Sequence, residues 1–311
     1  MSTAWVAGSV RARAMSRRRL GKAAARALAG HATLETAVDA LAATSYGRDV
    51  HVGMSMDQAQ HAVASTLLWH LRVLAGWVPH GDARILRVLA GGFEIANVDE
   101  RLHELAGGPV DPPFHLGTLE TTWSTLAPAT SVAALRETLA RSAWGEPGAD
   151  TPVAIRLGMR LSWAARVAST VDVARDWACG AAAILTAREV FLEQRTRTAS
   201  ATRLATSLLG SRWPDAGSVR MFAEGLPPAA RWALADVDEP GDLWRAEGRW
   251  WARVDHDGHR LLRRPLTTPA PVIGSVAVLA ADAWRVRAAL EVAARGGGAA
   301  SRAMEAFDVV A

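Results

Sequence analysis

The chain has 311 residues, half of them hydrophobic and 21% charged, a balance that fits a globular core and excludes intrinsic disorder over most of its length. The one cysteine, Cys179, excludes an internal disulfide framework and every multi-cysteine zinc or iron–sulfur centre. Basic residues number 35 against 31 acidic ones, a net charge of +4, too small to mark the whole chain as a polyanion binder.

Length alone fits about two domains or one large one. The N-terminal stretch is basic: Arg11, Arg13, Arg17, Arg18, Arg19, Lys22 and Arg26 all precede the first acidic residue, Glu35. Such a run can neutralise phosphates or an anionic surface, form a solvated face, or clamp acidic residues of another unit within the chain. No apolar stretch follows it, so no secretory leader is expected. Ser16, Thr33 and Ser131 stand where helix N-caps belong.

Hydrophobic spacing predicts helices nearly throughout. Leu34, Ala37, Val38 and Leu41 fall on one helical face, as do Val63, Leu67, Leu71 and Leu74, and then Val132, Leu135 and Leu139. His61 and His70 share the second of these, with His70 expected to be partly buried. Gly91-Gly92, Gly107-Gly108-Pro109, Pro112-Pro113, Gly145 to Gly148, Pro227-Pro228 and Gly296 to Gly298 punctuate the pattern. The exception to the helical pattern is Trp250 to Leu262, where Asp257-Gly258 reads as a hairpin turn and His256 and His259 as its polar tip. The apolar runs Ala181 to Leu185 and Pro271 to Ala281 are too short to span a membrane. The expected fold class is all-α.

The segment Ala32 to Gly47 aligns without a gap with Thr130 to Gly145, an offset of 98 residues. Leu34 matches Val132, Ala37 matches Leu135, Leu41 matches Leu139, Thr44 matches Ser142, Tyr46 matches Trp144 and Gly47 matches Gly145. Each copy reads as an amphipathic helix closed by a glycine cap, with an aromatic anchor just before the glycine. A second element recurs around Glu94, Asp172 and Asp282, each expected near the entry of a helix. A single domain of three related helical units, roughly 1–108, 109–205 and 206–311, accounts for the length.

Catalytic signatures do not emerge. There is no phosphate-cradling G-x-x-x-x-G-K-[ST] and no G-x-S-x-G. Cys179 lies in the apolar run Trp177 to Ala182, where a buried, inert thiol is expected. No recognition helix or RNA-binding signature supports nucleic acid as a partner.

Four segments resemble a non-catalytic rotor component of the V/A-type rotary ATPases, the C-type protein of the prokaryotic enzymes and the d-type protein of the eukaryotic vacuolar enzyme. Val10 to Leu20 is similar to the family's opening helix and turn, and Leu34 to Gly47 to its L-x-x-A-x-x-x-L-x-x-T-x-Y-G. Phe93 to Leu102 resembles its D-I-E-N-L-K-x-x-L-R, and Trp284 to Asp308 its closing helices. Glu94, Val98 and Asp99 depart from the family's usual Asp, Leu and Lys, and the third unit lacks the asparagine.

The resemblance implies three related bundles forming a funnel with pseudo-three-fold symmetry. The funnel would sit on the cytoplasmic face of the proteolipid ring, peripheral to the membrane, and its socket would take the tip of the central stalk. The implied role is to transmit torque in rotary proton or sodium transport, with no catalytic site, cofactor or metal. Arg11, Arg13, Tyr46, Gly47, Asn97, Arg101, Trp144 and Gly145 are the signature positions it implies, as structural residues. Arg17, Arg18 and Arg19 are the expected contact for an anionic surface. Two other classes stay open: a stand-alone helical-repeat adaptor for a protein partner, and an enzyme using scattered residues such as Glu94, Asp99, Arg101 and His103.

Overall fold

The computed structural model describes residues 3–297. Among them there is no strand, and the chain is all-helical. The α-helices are α1 (Val6–Ser16), α2 (Lys22–Ala29), α3 (Leu34–Ala42), α4 (Met56–Ala75), α5 (Ala83–Leu89), α6 (Gly91–Leu105), α7 (Trp123–Leu126) and α8 (Val132–Ala140), followed by α9 (Pro152–Thr170), α10 (Arg175–Ala187), α11 (Ala199–Leu209), α12 (Val219–Gly225), α13 (Pro228–Arg231), α14 (Leu243–Leu262) and α15 (Ala270–Ala294). Among the described residues no helix is long and apolar enough to cross a membrane. Two compact units result: residues 1–86 with 251–311, and residues 87–250. Gly298, Phe307 and Asp308, expected in the closing segment, lie outside the described residues.

In the first unit α15 is the central element, packed by α1, α2, α3 and α4. Its apolar residues run around the whole circumference, the pattern of a helix surrounded by others. Leu28, Val38, Leu41, Tyr46 and Val63 form its core with Val286 and Leu290. Burying each Leu or Val side chain contributes about 1.5–3 kcal/mol.

In the second unit α6 packs on α7 and α9, and α7 on α8. Ile95, Val98, Leu102, Leu135, Leu139, Trp144, Ile155 and Met159 make that core. Farther along, α10 packs against α9, α11 and α13.

The hairpin expected at Trp250 to Leu262 is not formed; these residues continue helix α14. Gly258 serves a helix crossing, not a turn. A Cβ there would lie 2.9 Å from the Ala277 Cβ, and one at Gly274 only 2.6 Å from the Gly258 carbonyl oxygen. Glycine at both positions lets the backbones of α14 and α15 approach closely. His256 and His259 are accordingly neighbours on a helix, with His259 Nε2 3.8 Å from Asp255 Oδ1.

One expected cap and one expected helix entry also differ. Ser16 is the last residue of α1, donating its hydroxyl to the Arg13 carbonyl, and Gly21 occupies the N-cap of α2. Asp282 lies in the middle of α15 and not near its entry, because the apolar run before it extends the helix by about three turns.

Candidate functional site: two carboxylate-centred junctions

The 98-residue repeat recurs hydrogen bond by hydrogen bond. Thr33 and Ser131 each cap a nine-residue helix by accepting from the backbone N–H three residues on. At the far end, the Thr44 and Ser142 hydroxyls donate to the carbonyls of Leu41 and Leu139. The same hydroxyl oxygens then accept from the N–H of Tyr46 and Trp144, at 3.2 and 3.0 Å. These turns, not glycine caps, end the two helices, at Ala42 and Ala140. The following glycine is needed for a different reason in each copy. A Cβ at Gly47 would fall 2.0 Å from the Ala42 carbonyl oxygen, whereas Gly145 has φ +78°.

Each turn aims its aromatic ring at a buried carboxylate. In the first unit, Asp282 accepts from the Tyr46 hydroxyl at 2.9 Å and from the backbone N–H groups of Leu20 and Gly21, both at 2.8 Å. In the second, Glu94 accepts from Trp144 Nε1 at 2.7 Å and from the N–H groups of Thr121 and Thr122 at 2.8 and 2.9 Å. Both acids are fully buried. Two consecutive N–H groups and one ring donor thus meet a carboxylate on a helix in both units. A buried carboxylate is tolerable only with its acceptor sites filled by such donors.

The electrostatics follow from burial. Loss of water raises the Glu94 carboxyl above its usual range, and the bonds from Trp144, Thr121 and Thr122 oppose that rise. Tyr46 is pushed well up, first by burial and then by the charge and hydrogen bond of Asp282. Arg166 lies with its guanidinium 4.8 Å over the Trp144 ring, its cationic form disfavoured by burial and favoured by Glu94.

Other signature residues hold chain to chain. Asn97 clamps Phe114 at both backbone groups, donating to its carbonyl at 3.0 Å and accepting from its N–H at 2.7 Å. Arg101 donates through Nε and Nη2 to the Ala129 carbonyl and pairs with Glu104. Arg13 reaches the carbonyls of Leu262 and Arg264, each at 2.8 Å. Arg11 is exposed and lies over the Trp77 ring. Asp99 meets Arg156 and Arg160 of α9, at 3.1 and 2.7 Å. An acid where the resembled family has a lysine therefore has two cations to face.

Arg17, Arg18 and Arg19 are all exposed. Arg19 donates to the Ser16 carbonyl. Glu94, Asp99 and Arg101 are each engaged with different partners and do not converge on one point. Cys179 is buried, and burial raises its thiol, the opposite of what a nucleophile needs. Among the described residues no three His, Cys, Asp or Glu side chains are grouped to hold a metal ion.

Ser218 caps α12 as Ser131 caps α8, and Val219, Phe222 and Leu226 are buried at the spacing of Val132, Leu135 and Leu139. Here Trp232 packs over Gly180 of α10, where a Cβ would lie 2.7 Å from the ring, and its ring N–H donates to the Ala229 carbonyl. The sequence aligns the Asp282 and Glu94 segments without showing that their acids receive the repeated rings. No family model matches the chain, and no curated protein matches it closely enough to count as a relative.

Proposed function

We propose that the chain is a non-catalytic coupling component of a V/A-type rotary ATPase, linking the membrane proteolipid ring to the central stalk in rotary proton or sodium transport. The observation that carries this reading is the pair of carboxylate junctions. The residues through which the chain resembles the rotor family, Tyr46-Gly47, Trp144-Gly145 and the Glu94 segment, are committed to locking helices in place. Residues so committed suit a part whose work is mechanical. Torque passes through a body only as far as its packed faces resist shear, and close-packed interiors of low compressibility transmit strain.

On this reading the three units, roughly 1–108, 109–205 and 206–311, form a funnel with pseudo-three-fold symmetry, peripheral on the cytoplasmic face of the membrane. The matched helices capped by Thr33 and Ser131 support the relation between the first two of these units. The ring lies below, the stalk enters the socket, and both turn together. No cofactor is called for.

Inverted membrane vesicles from cells lacking the protein test it. ATP hydrolysis should persist while ATP-driven ion uptake is lost, and the purified protein should restore uptake. Undiminished uptake in its absence would contradict the proposal.

A further inference from the structure

We propose that the first unit carries a binding site for a small phosphate-bearing anion, formed by Arg18, Ser45, Arg48, Thr66, Trp69 and His70. These six residues line one cavity of about 300 Å³, at the small end of the range for ligand sites. It is independent of the rotary reading, and none of the six belongs to the carboxylate junctions.

Three stretches of chain converge there. Arg18 follows the end of α1, Ser45 and Arg48 flank the Tyr46-Gly47 turn, and Thr66, Trp69 and His70 occupy one face of α4 at i, i+3 and i+4. The Ser45 hydroxyl donates to the Arg18 carbonyl, which ties the first stretch to the second. The turn that supports Asp282 from one side therefore presents this cavity from the other.

Charge is the reason to expect an anion. Arg48 lies with its guanidinium 4.5 Å over the Trp69 ring, and its Nε is 3.6 Å from Asp49. Asp49 also accepts from the Thr66 hydroxyl at 2.8 Å and does not line the cavity. Arg18 has no ion-pair partner among the described residues. Two guanidiniums line the cavity and the one carboxylate paired with them, Asp49, does not, which leaves a positive excess at a concave, partly apolar spot. A guanidinium fork matches phosphate oxygens two at a time, and a fork pre-oriented on an aromatic face loses little entropy when it does so.

His70 gives the site a reporter. Its ring bonds to the Thr66 carbonyl and meets the Trp69 ring edge-on at 5.1 Å. Burial first, then the charges of Arg18 and Arg48, hold it down at about 4 against the opposing pull of Thr66 and Asp49. An anion seated between the arginines reverses their field and favours the imidazolium.

Inorganic phosphate and a phospholipid headgroup present the same group, and the test separates them. The full-length protein is titrated with inorganic phosphate, followed by thermal unfolding and by the NMR shifts of the His70 ring, then floated with vesicles of phosphatidylcholine with or without phosphatidic acid. The variants are Arg18→Gln and Arg48→Gln, with Arg17→Gln as a control outside the cavity.

Saturable stabilisation by phosphate, with a rise in the His70 pKa, is expected for wild type and Arg17→Gln. It should weaken about tenfold or more in Arg18→Gln and Arg48→Gln. Flotation confined to phosphatidic acid, lost in the same two variants without a response to free phosphate, also upholds the site and names the headgroup as its source. Equal responses in all four proteins, or none to either probe, overturn it. Arg18→Gln keeps the test decisive if Arg48→Gln fails to fold, since Arg18 is exposed and its side chain supports no other residue.

Discussion

Asp282 accepts a 2.9 Å hydrogen bond from the Tyr46 hydroxyl across 236 residues of chain. The helix that completes the first bundle thus comes from the other end of the sequence, while the helix that completes the second, α6, lies shortly before its own repeat, with α7 between them. The two bundles share one plan with different connectivity.

Replacing Asp282 should be costly for this reason. Leu20 and Tyr46 donate to one carboxylate oxygen and Gly21 to the other, so Asp282→Asn turns an amide N–H₂ towards the backbone N–H of either Leu20 or Gly21, leaving a buried donor without an acceptor. A loss of about 3 kcal/mol is expected in urea unfolding, against about 1–2 kcal/mol for Tyr46→Phe. The double variant should lose less than the sum, because the two share one bond. Strict additivity would show that the bond contributes nothing.

Glu94 makes stability depend on pH in a particular direction. Burial raises its carboxyl above the 4.5 of an ordinary glutamate. The folded protein then binds more protons than the unfolded chain in the window just above 4.5, so the contribution is complete below that window and is lost as pH rises through it. The difference in unfolding free energy between wild type and Glu94→Gln should shift in favour of Glu94→Gln as pH climbs from about 4 to about 6. Parallel curves would place the carboxyl at its ordinary value.

His70 acts in the opposite sense. It falls from 6.5 in the unfolded chain to about 4 in the folded protein. The unfolded state therefore binds the extra proton. Stability from this group is complete above pH 6.5 and is lost as pH falls towards 4, by up to about 3 kcal/mol. In phosphate-free buffer, wild type should lose more stability than His70→Gln between about pH 7 and about pH 5. An equal loss in both would remove His70 as the cause.

Gly274 sets helix propensity against packing. Alanine is preferred in a helix by about 1 kcal/mol, yet its Cβ would lie 2.6 Å from the Gly258 carbonyl oxygen and 2.8 Å from the Leu262 nitrogen. Backbone atoms cannot swing aside, so overpacking of about 1–3 kcal/mol wins. Chemical denaturation should show Gly274→Ala less stable than wild type. Gly241→Ala, with open space around it, should stay within about 0.5 kcal/mol. Stabilisation by Gly274→Ala would mean that the two helices move apart at little cost.

Local pattern made much of this fold legible. Apolar spacing located α3, α4 and α8, the Thr33 and Ser131 caps were readable, and the 98-residue alignment paired Tyr46 with Trp144. What stayed hidden is non-local. Asp257-Gly258 is a turn signal by composition, and only the closeness of Gly274 shows why glycine stands inside a helix. Likewise, nothing near Asp282 in sequence says that Leu20, Gly21 and Tyr46 will surround it. Arg18 looked like its neighbours Arg17 and Arg19 until α4 placed His70 and Trp69 beside it.

The central claim is best met by tagging the protein in its native cell, solubilising the membranes gently and identifying what comes with it by mass spectrometry. Recovery of proteolipid ring and central-stalk proteins together is the predicted result. Recovery from the soluble fraction alone, or with unrelated partners, would contradict the rotary function.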